Sequence, residues 1–329
     1  MATISESGTS EPGTFKVNTS KPEPVPGMPI DLVILDLDGT ILDLYRPGPI
    51  SAAVQGAIAA VQAAGVPVTI ATGRTLDYVR AHVAALGITL PVVTGQGAVI
   101  GDPQTGAVLE EITIAPEPAR RAATWIDAHD YVTALYFTAR SGHAPESEAE
   151  SRSQPGAVGE PTIRIYQNRA GNDPEFYDHV FGLPRTCVGE FAPLVAQSPT
   201  PPLKFIVAED ATKHATDEDA GKLVAALHAA LGDALTITRT HPRLVEGTAA
   251  GVDKGAGVRR LCARLGVDPA RVLAIGDSDN DIPMLQAVGV GIGMGNASPG
   301  VKAVADWLAP SIDEDGAAVA LRHWLGVAG

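Results

Sequence analysis

The 329-residue chain has only two cysteines, Cys187 and Cys262, which lie far apart and form no metal-binding spacing. Their scarcity favours a reducing cytoplasm as the location of the protein. Basic residues are also few, since 24 Lys and Arg stand against 38 Asp and Glu and give a net charge of −14. This balance argues against a general nucleic-acid or anionic-membrane partner, although local cations can still bind an anionic small molecule.

A secretory leader and a membrane span are also lacking. The first thirty residues contain no basic region followed by an apolar one, so we expect no secretory signal. The one long uncharged stretch, 47–73, includes Gln55, Gln62, Gly65 and Pro67, and it changes at Gly65 from helical to strand character. A helix, a turn and a buried strand explain this stretch better than a membrane span does.

The order of apolar runs predicts an α/β protein with a doubly wound parallel sheet and an inserted unit. A Pro-rich lead-in at 1–29 is expected to be disordered. Alternating strand and helix patterns at 30–100 and 246–329 predict a core domain that forms the parallel sheet. Strand runs with lone helices at 101–245 predict a separate α+β domain, interrupted by a polar excursion at 141–161. Near the end of the chain, helices are predicted at 301–307 and 317–325.

Two carboxylates end the first buried strand, in the run Val33-Ile-Leu-Asp36-Leu-Asp38-Gly39-Thr40. Strand side chains alternate with a period of two, so Asp36 and Asp38 are expected to project to the same side. Open α/β sheets bind ligands at the carboxyl ends of their strands. The pair therefore predicts the beginning of an active site.

A second acidic cluster, Gly276-Asp277-Ser278-Asp279-Asn280-Asp281, follows another apolar strand pattern. Such residues also cap helix N-termini, and this interpretation stays open for the cluster taken alone. A calcium loop does not fit, because Ile282 and Val288 stand where the loop needs Gly and Glu. Carboxylates from two strand ends would repel one another without a divalent cation, and hard oxygen ligands suit Mg²⁺.

Two further segments offer groups for an anion. Thr72-Gly73-Arg74 follows a strand, and its hydroxyl and backbone N–H groups can bind a phosphate, although Thr there is often a local cap. Lys254 begins a predicted helix, where a cation favours a nearby anion, although such a lysine is usually a solvated charge. Neither a P-loop nor a Gly-x-Gly-x-x-Gly fingerprint is present. The combined set matches phosphoryl transfer, with a carboxylate nucleophile, a second acid and a metal.

With these motifs in this order, the chain resembles the haloacid dehalogenase superfamily of phosphohydrolases. The continuation Ile282-Pro-Met-Leu285 and the run Gly293-Met-Gly-Asn296-Ala297 are typical of its Cof-type branch (subclass IIB). The long interval between Arg74 and Lys254 corresponds to the large cap domain that this branch inserts into its Rossmann-like core. The resemblance implies a Mg²⁺-dependent phosphoric monoester hydrolase that forms an aspartyl-phosphate.

The resemblance also implies a role for each motif residue. Asp36 would attack phosphorus, and Asp38 would act as general acid and base. Thr72, the Gly73 backbone and Lys254 would hold the transferring phosphoryl group.

For the metal, the resemblance implies that Asp36, the Asp38 carbonyl and Asp277 coordinate Mg²⁺. Asp281 would support these ligands from behind, and Asn280 would lie near the phosphate. The expected substrate is a small phosphorylated metabolite, either a sugar phosphate or a phosphorylated cofactor.

One departure and two alternatives accompany this interpretation. Gln96-Gly97-Ala98 stands where Asn-Gly-Ala is usual, so a contact between core and cap is expected to differ. A phosphomutase, or a non-catalytic metabolite-binding protein on the same fold, are the alternative functions. Four cap cations that could reach a substrate are each interpreted as surface charges; they are Arg164, Arg169, Lys204 and Arg243.

Overall fold

The structure is a computed structural model that describes residues 27–43, 48–139, 162–182, 184–209, 217–241 and 243–327. The polar excursion predicted at 141–161 lies wholly outside these ranges, and so does the predicted disordered lead-in up to residue 26.

The secondary structure of the described residues alternates strands and helices at both ends of the chain. The strands are β1 (Leu32–Leu35), β2 (Val68–Ile70), β3 (Val92–Thr94), β4 (Val99–Gly101), β5 (Val108–Glu111), β6 (Val132–Thr138), β7 (Ile163–Gln167), β8 (Arg185–Cys187), β9 (Lys204–Ala208), β10 (Leu235–His241), β11 (Leu244–Ala249), β12 (Val272–Gly276), β13 (Val290–Gly293) and β14 (Trp307–Leu308). The α-helices are α1 (Ala52–Ala63), α2 (Leu76–Ala85), α3 (Pro116–Asp127), α4 (Pro174–Phe181), α5 (Phe191–Gln197), α6 (Asp217–Leu231), α7 (Lys254–Leu265), α8 (Ile282–Ala287), α9 (Pro299–Val304) and α10 (Gly316–Leu325).

The first and last parts of the chain form one parallel sheet with the strand order β14-β13-β12-β1-β2. An isolated parallel bridge between Ala71 and Val93 continues this order toward β3. All residues of the central strands β1 and β12 are buried, because helices such as α1, α10, α7 and α8 pack around the sheet. The predicted doubly wound α/β core is thereby confirmed.

The middle of the chain forms a six-stranded mixed sheet, ordered β10-β11-β9-β6-β7-β8, that belongs to the inserted cap. All its neighbours pair antiparallel except β7 and β8. Helices α3, α5 and α6 share a hydrophobic core with one face of this sheet. The opposite face packs against α4 and against the core segment around Ala98. Its last strand, β11, continues to Ala249, and a small antiparallel sheet of β3, β4 and β5 spans residues 92–111.

The helix predicted at 301–307 is wrong in its second half. Helix α9 ends at Val304, and Trp307–Leu308 pairs with β13 as the edge strand β14. The Asp306 N–H donates to Gly291 O at 2.7 Å, and the Asp306 carboxylate accepts from Gly291 N at 2.7 Å. These bonds extend the chain along the β13 edge, and pairing there outweighs helical propensity. None of the described helices combines the length and apolarity needed to cross a membrane.

Candidate active site

Two aspartates meet at the carboxyl ends of the central strands. Strand β1 pairs with β12 in a register that sets Leu35 against Ile275, and the Asp36 N–H donates to Ile275 O at 2.9 Å. Asp36 therefore follows one strand directly beside the point where Asp277 follows the other. Both side chains are buried, with Asp36 only 3% exposed.

The turn after β1 brings its backbone against Asp277. Gly39 adopts φ = +86°, and a Cβ at this position would lie 2.3 Å from Asp277 Oδ2. The position thus requires glycine for its left-handed conformation and for the close approach. Thr40 Oγ1 then donates to Asp277 Oδ1 at 3.0 Å and lies 3.5 Å from Asp36 Oδ2. One hydroxyl therefore links the two carboxylates.

Lys254 joins this cluster from the first turn of α7. Asp253 caps the helix by accepting from the Ala256 N–H at 2.7 Å. Lys254 Nζ lies 2.5 Å from Asp36 Oδ1 and 2.5 Å from Asp281 Oδ1, and the side chain is 1% exposed. Burial favours the neutral amine, but Asp281 and Asp36 outweigh it and raise the pKa of Lys254 above its usual value.

Asp281 lies behind the other acids and is completely buried. Its Oδ1 accepts from Lys254, while its Oδ2 accepts from the backbone N–H groups of Asp277 and Ser278, both at 3.0 Å. Both carboxylate oxygens of Asp281 are therefore bound by protein donors. The residue fixes the loop that carries Asp277.

The acidic cluster has the composition of a divalent-cation site. Carboxylate oxygens of Asp36, Asp277 and Asp281 lie within 4.8 Å of one another. Three carboxylates around the Lys254 ammonium leave a formal charge of −2. Burial and the Asp281 charge accordingly raise the pKa of Asp36 well above its usual value and that of Asp277 to about 7. A divalent cation would relieve this repulsion, so the donor set fits a metal.

The carboxylate of Asp38 points to a different partner. Arg74 binds it with two hydrogen bonds, from Nε at 2.7 Å and from Nη2 at 2.8 Å. Burial alone would raise the pKa of Asp38, but the guanidinium outweighs it and lowers that pKa. Arg74 Nη1 also donates to the backbone oxygen of His179 on α4, and Nη2 lies 3.0 Å from His179 Nε2. Asp38 is therefore connected to the cap through one arginine.

The loop after β2 presents Thr72 to the same space. The Arg74 N–H donates to Thr72 Oγ1 at 3.2 Å, which leaves the hydroxyl proton of Thr72 free to donate elsewhere. A Cβ on Gly73 would lie 2.3 Å from Gln96 Nε2, so a larger residue here would push the Gln96 amide away from this loop.

These groups line one cavity of about 480 Å³ between the core and the cap. The structure brings all but one of the site residues predicted from the sequence to its wall; they are Asp36, Asp38, Thr72, Gly73, Lys254, Asp277 and Asn280. Asp281, the exception, supports the wall from behind. Their individual roles stay predictions.

Two of the cap cations are not the surface charges that the sequence analysis expects. Lys204 on β9 is only 3% exposed and lines the cavity, because Glu246 on β11 neutralises it at 2.5 Å inside the interface. Burial nonetheless lowers the pKa of Lys204. The Arg243 side chain is 17% exposed, pairs with Asp173 at 3.0 Å and lies 3.8 Å from the centre of the Phe176 ring. A single charged residue in the cap sequence, such as Lys204 on β9 or Arg243 in the turn between β10 and β11, does not indicate its partner.

The comparisons with known proteins agree with this geometry. The family model of haloacid dehalogenase-like hydrolases matches residues 33–181 and 196–321. The chain belongs to this family, as the resemblance predicted, and it is a phosphatase of the Cof-type branch.

Two curated relatives from Bacillus subtilis match over nearly their whole length. The chain is 26% identical over 296 residues to the 5-amino-6-(5-phospho-D-ribitylamino)uracil phosphatase YcsE of Bacillus subtilis, covering 90% of this chain and 96% of the relative. It is also 26% identical over 299 residues to the phosphatase YwpJ of the same organism, covering 89% and 99%.

Solved structures share the fold. The phosphatase BT1666 of Bacteroides thetaiotaomicron superposes with a TM-score of 0.68 at 24% identity, covering 93% of this chain and 100% of that chain. The subclass IIB sugar phosphatase BT4131 also gives a TM-score of 0.68, at 23% identity, with 91% and 100% covered. The likeness extends over core and cap and confirms the predicted architecture.

Proposed function

We propose that the chain is a Mg²⁺-dependent phosphatase that hydrolyses a small phosphorylated metabolite through an aspartyl-phosphate on Asp36. The observation that carries this proposal is the position of Asp36, a carboxylate at the end of β1 that faces a cavity and is held by Lys254 at 2.5 Å. A lysine this close orients the carboxylate and offers a charge to the oxygens of an incoming phosphate.

The remaining residues supply what a phosphoryl group requires. The Thr72 hydroxyl, the Gly73 backbone and Asn280 would hold its oxygens together with Lys254. Asp36, the Asp38 carbonyl and Asp277 would hold Mg²⁺, which when bound neutralises and orients the phosphate oxygens. Because both Asp281 oxygens already accept hydrogen bonds, Asp281 supports these ligands rather than joining them.

Asp38 would move the protons of the reaction. In the first step Asp36 attacks phosphorus, and Asp38 gives a proton to the leaving oxygen; in the second, Asp38 takes a proton from the attacking water. The bond to Arg74 favours the ionised carboxylate of Asp38. Asp38 can therefore carry the proton that it donates to the leaving oxygen only when its bond to Arg74 weakens.

The charges around the cavity favour a leaving group that is polar and neutral. The four Lys and Arg side chains in its described wall each have a carboxylate partner; the pairs are Arg74 with Asp38, Lys204 with Glu246, Arg239 with Asp279, and Lys254 with Asp36. A second anionic group on the substrate would have to displace one of these carboxylates. The names of the relatives YcsE and BT4131, a phosphoribityl-compound phosphatase and a sugar phosphatase, support a sugar phosphate or a phosphorylated cofactor.

Release of inorganic phosphate across a substrate panel, with and without Mg²⁺, tests the proposal. We expect pentose, hexose and sugar-alcohol phosphates to be hydrolysed in the presence of Mg²⁺. Phosphoglycolate, which carries a carboxylate, should be a poor substrate. The proposed leaving-group class is wrong if phosphoglycolate is preferred.

We predict that Asp36→Asn abolishes turnover while the protein stays folded. An amide of the same shape cannot act as the nucleophile. Phosphate release and thermal unfolding should be measured on the same preparation. Undiminished release by this variant would overturn the aspartyl-phosphate mechanism.

A further inference from the structure

A buried ion pair on the cap is hydrogen-bonded to two core segments, which carry or contact proposed phosphate-binding residues. Lys204 and Glu246 lie on the neighbouring strands β9 and β11, and both side chains face the core. Their exposed fractions are only 3% and 5%, although the pair lies beside an open cavity. Removing two charges from water is unfavourable unless further hydrogen bonds satisfy them. The bonds that satisfy this pair lead to core residues.

The first arm runs from Lys204 to Thr72. Lys204 Nζ donates to Gly73 O at 2.8 Å. The N–H of the same peptide unit belongs to Arg74 and donates to Thr72 Oγ1 at 3.2 Å. Because the Thr72 hydroxyl is the acceptor in this bond, its own proton remains available to donate to a ligand. The cap lysine thus fixes the peptide that orients the Thr72 hydroxyl.

The second arm runs from Glu246 to Asn280. Glu246 Oε1 accepts from Gln96 Nε2 at 3.0 Å, and Gln96 Oε1 accepts from Asn280 Nδ2 at 3.1 Å. Gln96 is held in the left-handed region at φ = +58°, a conformation that a non-glycine residue adopts only when its surroundings enforce it. Among the described residues, Asn280 Oδ1 is buried and accepts no hydrogen bond, so this amide has capacity left for a ligand.

We propose that Lys204, with Glu246, is a positioning residue that the cap supplies to the phosphate site. It orients Thr72 through the Gly73 peptide and Asn280 through Gln96. The phosphoryl-binding groups are therefore in place only when the cap lies on the core. The proposal rests on the proposed function, because it assigns Thr72 and Asn280 to the phosphate.

The test compares variants of the full chain in two assays. One is turnover of para-nitrophenyl phosphate with Mg²⁺, and the other is calorimetric binding of inorganic phosphate. We expect Lys204→Met to lower kcat roughly tenfold to a hundredfold, as for a misplaced binding group, and to weaken phosphate binding. A simple leaving group makes few contacts with the cap, so KM should change less than kcat.

A double variant separates positioning from stability. Lys204→Met combined with Glu246→Leu replaces the ion pair by apolar side chains, an exchange that often preserves or raises stability. We expect this variant to unfold at a higher temperature than Lys204→Met, which leaves the Glu246 carboxylate buried without its cation, and yet to keep the kinetic and binding defects, because Gly73 O still lacks its donor. Full recovery of kcat and phosphate affinity would show that the pair only holds the fold together, and the proposal would fall.

A matched control loses a buried cation elsewhere in the cap. Arg185 on β8 is 6% exposed, pairs with Asp178 and donates to Gln167, Tyr177 and Gly182, all within the cap. Arg185→Met should lower stability but leave kcat and phosphate affinity near wild type. An equal kinetic loss in this control would also overturn the positioning role.

The two proposals fail in different ways. A wild-type protein that turns over no phosphate ester removes the proposed function, whatever the variants do. An active wild type whose Lys204→Met variant keeps both kcat and phosphate affinity removes the positioning role alone.

Discussion

At the scale of single residues, the geometry of the site depends on two glycines as well as on its charged side chains. Gly39 and Gly73 have no side chain, and a Cβ on either would lie 2.3 Å from Asp277 Oδ2 or Gln96 Nε2 respectively. Each glycine lets a backbone segment approach a functional side chain directly. These two glycines therefore set how closely the backbone approaches Asp277 and Gln96.

We predict that Gly39→Ala destabilises the protein and also removes activity. The left-handed conformation costs an alanine roughly 1–2 kcal/mol, and the added Cβ displaces the Asp277 carboxylate. Gly65 is the matched control, because it has φ = +87° with no atom within 4 Å of an added Cβ. Gly65→Ala should show the conformational cost with normal turnover. Similar turnover in the two variants would contradict the role of close approach; urea unfolding and phosphate release provide the measurements.

At the scale of elements, the strand ends and one helix start hold the site together. Strands β1 and β12 place Asp36 and Asp277 side by side, and α7 delivers Lys254 in its first turn. The N-cap hydrogen bond of Asp253 fixes the first turn of α7, and this turn sets the position of Lys254 relative to the sheet.

We predict that Asp253→Ala lowers the stability of the protein by about 1 kcal/mol, the usual effect of a lost N-cap. Because Lys254 is the first residue of the helix, fraying there should also lower kcat, by roughly tenfold. Ser51→Ala removes the N-cap of α1, whose side chain accepts from the Val54 N–H at 3.2 Å away from the cavity. This control should lose comparable stability with unchanged kcat. The prediction fails if the two variants are equally active.

The elements also show how far the sequence predicts the structure. Strands β1, β2, β3 and β12 and the helix predicted at 317–325 follow from local apolar patterns, and so does the position of Asp36 and Asp38 at a strand end. Trp307 is in a strand because it pairs with β13, and this long-range pairing cannot be recognised from the local sequence pattern. The sequence does not predict α4, β8 and α5, because short elements with little periodicity depend on tertiary packing.

The same distinction holds for the site. The core motifs predict which residues meet, since each stands at a strand or helix end with a recognisable neighbour in sequence. Arg74 was visible in its motif, but its bond to Asp38 was not. The partnership of Lys204 and Glu246 joins positions on two strands whose register only the folded sheet defines. Gln96 stands where the family usually has Asn, and a different contact between core and cap is expected there. In the structure, Gln96 of the core donates to Glu246 of the cap.

At the scale of the whole molecule, the uncompensated charge of the acidic cluster links metal binding to stability. At pH 8 the Asp277 carboxylate, whose pKa is raised to about 7, is largely ionised and repels its neighbours in the metal-free protein. A bound divalent cation removes this repulsion and stabilises the folded state by mass action, by about 2.7 kcal/mol at a concentration one hundred times Kd.

We therefore predict that the effect of Asp277→Asn on the stability of the protein changes sign when the metal binds. In EDTA at pH 8 the variant should be as stable as the wild type or more stable, because one repelling charge is gone while Thr40 and Ser278 remain as partners. With saturating Mg²⁺ the wild type should be the more stable. Thermal unfolding of both proteins in both buffers measures this, and a variant that is less stable in EDTA would contradict it.

The pairing of β1 with β12 has a consequence for how the chain is made. Leu32 pairs with Val272, so the first strand leaves the ribosome long before β12, one of its two neighbours, exists. The intervening cap has its own sheet and hydrophobic cores, and its folding would bring the ends of this long loop together before the core closes. We expect pulse-labelled hydrogen exchange during refolding to protect β6 and β9 before β1. Earlier protection of β1 would show that the core closes first.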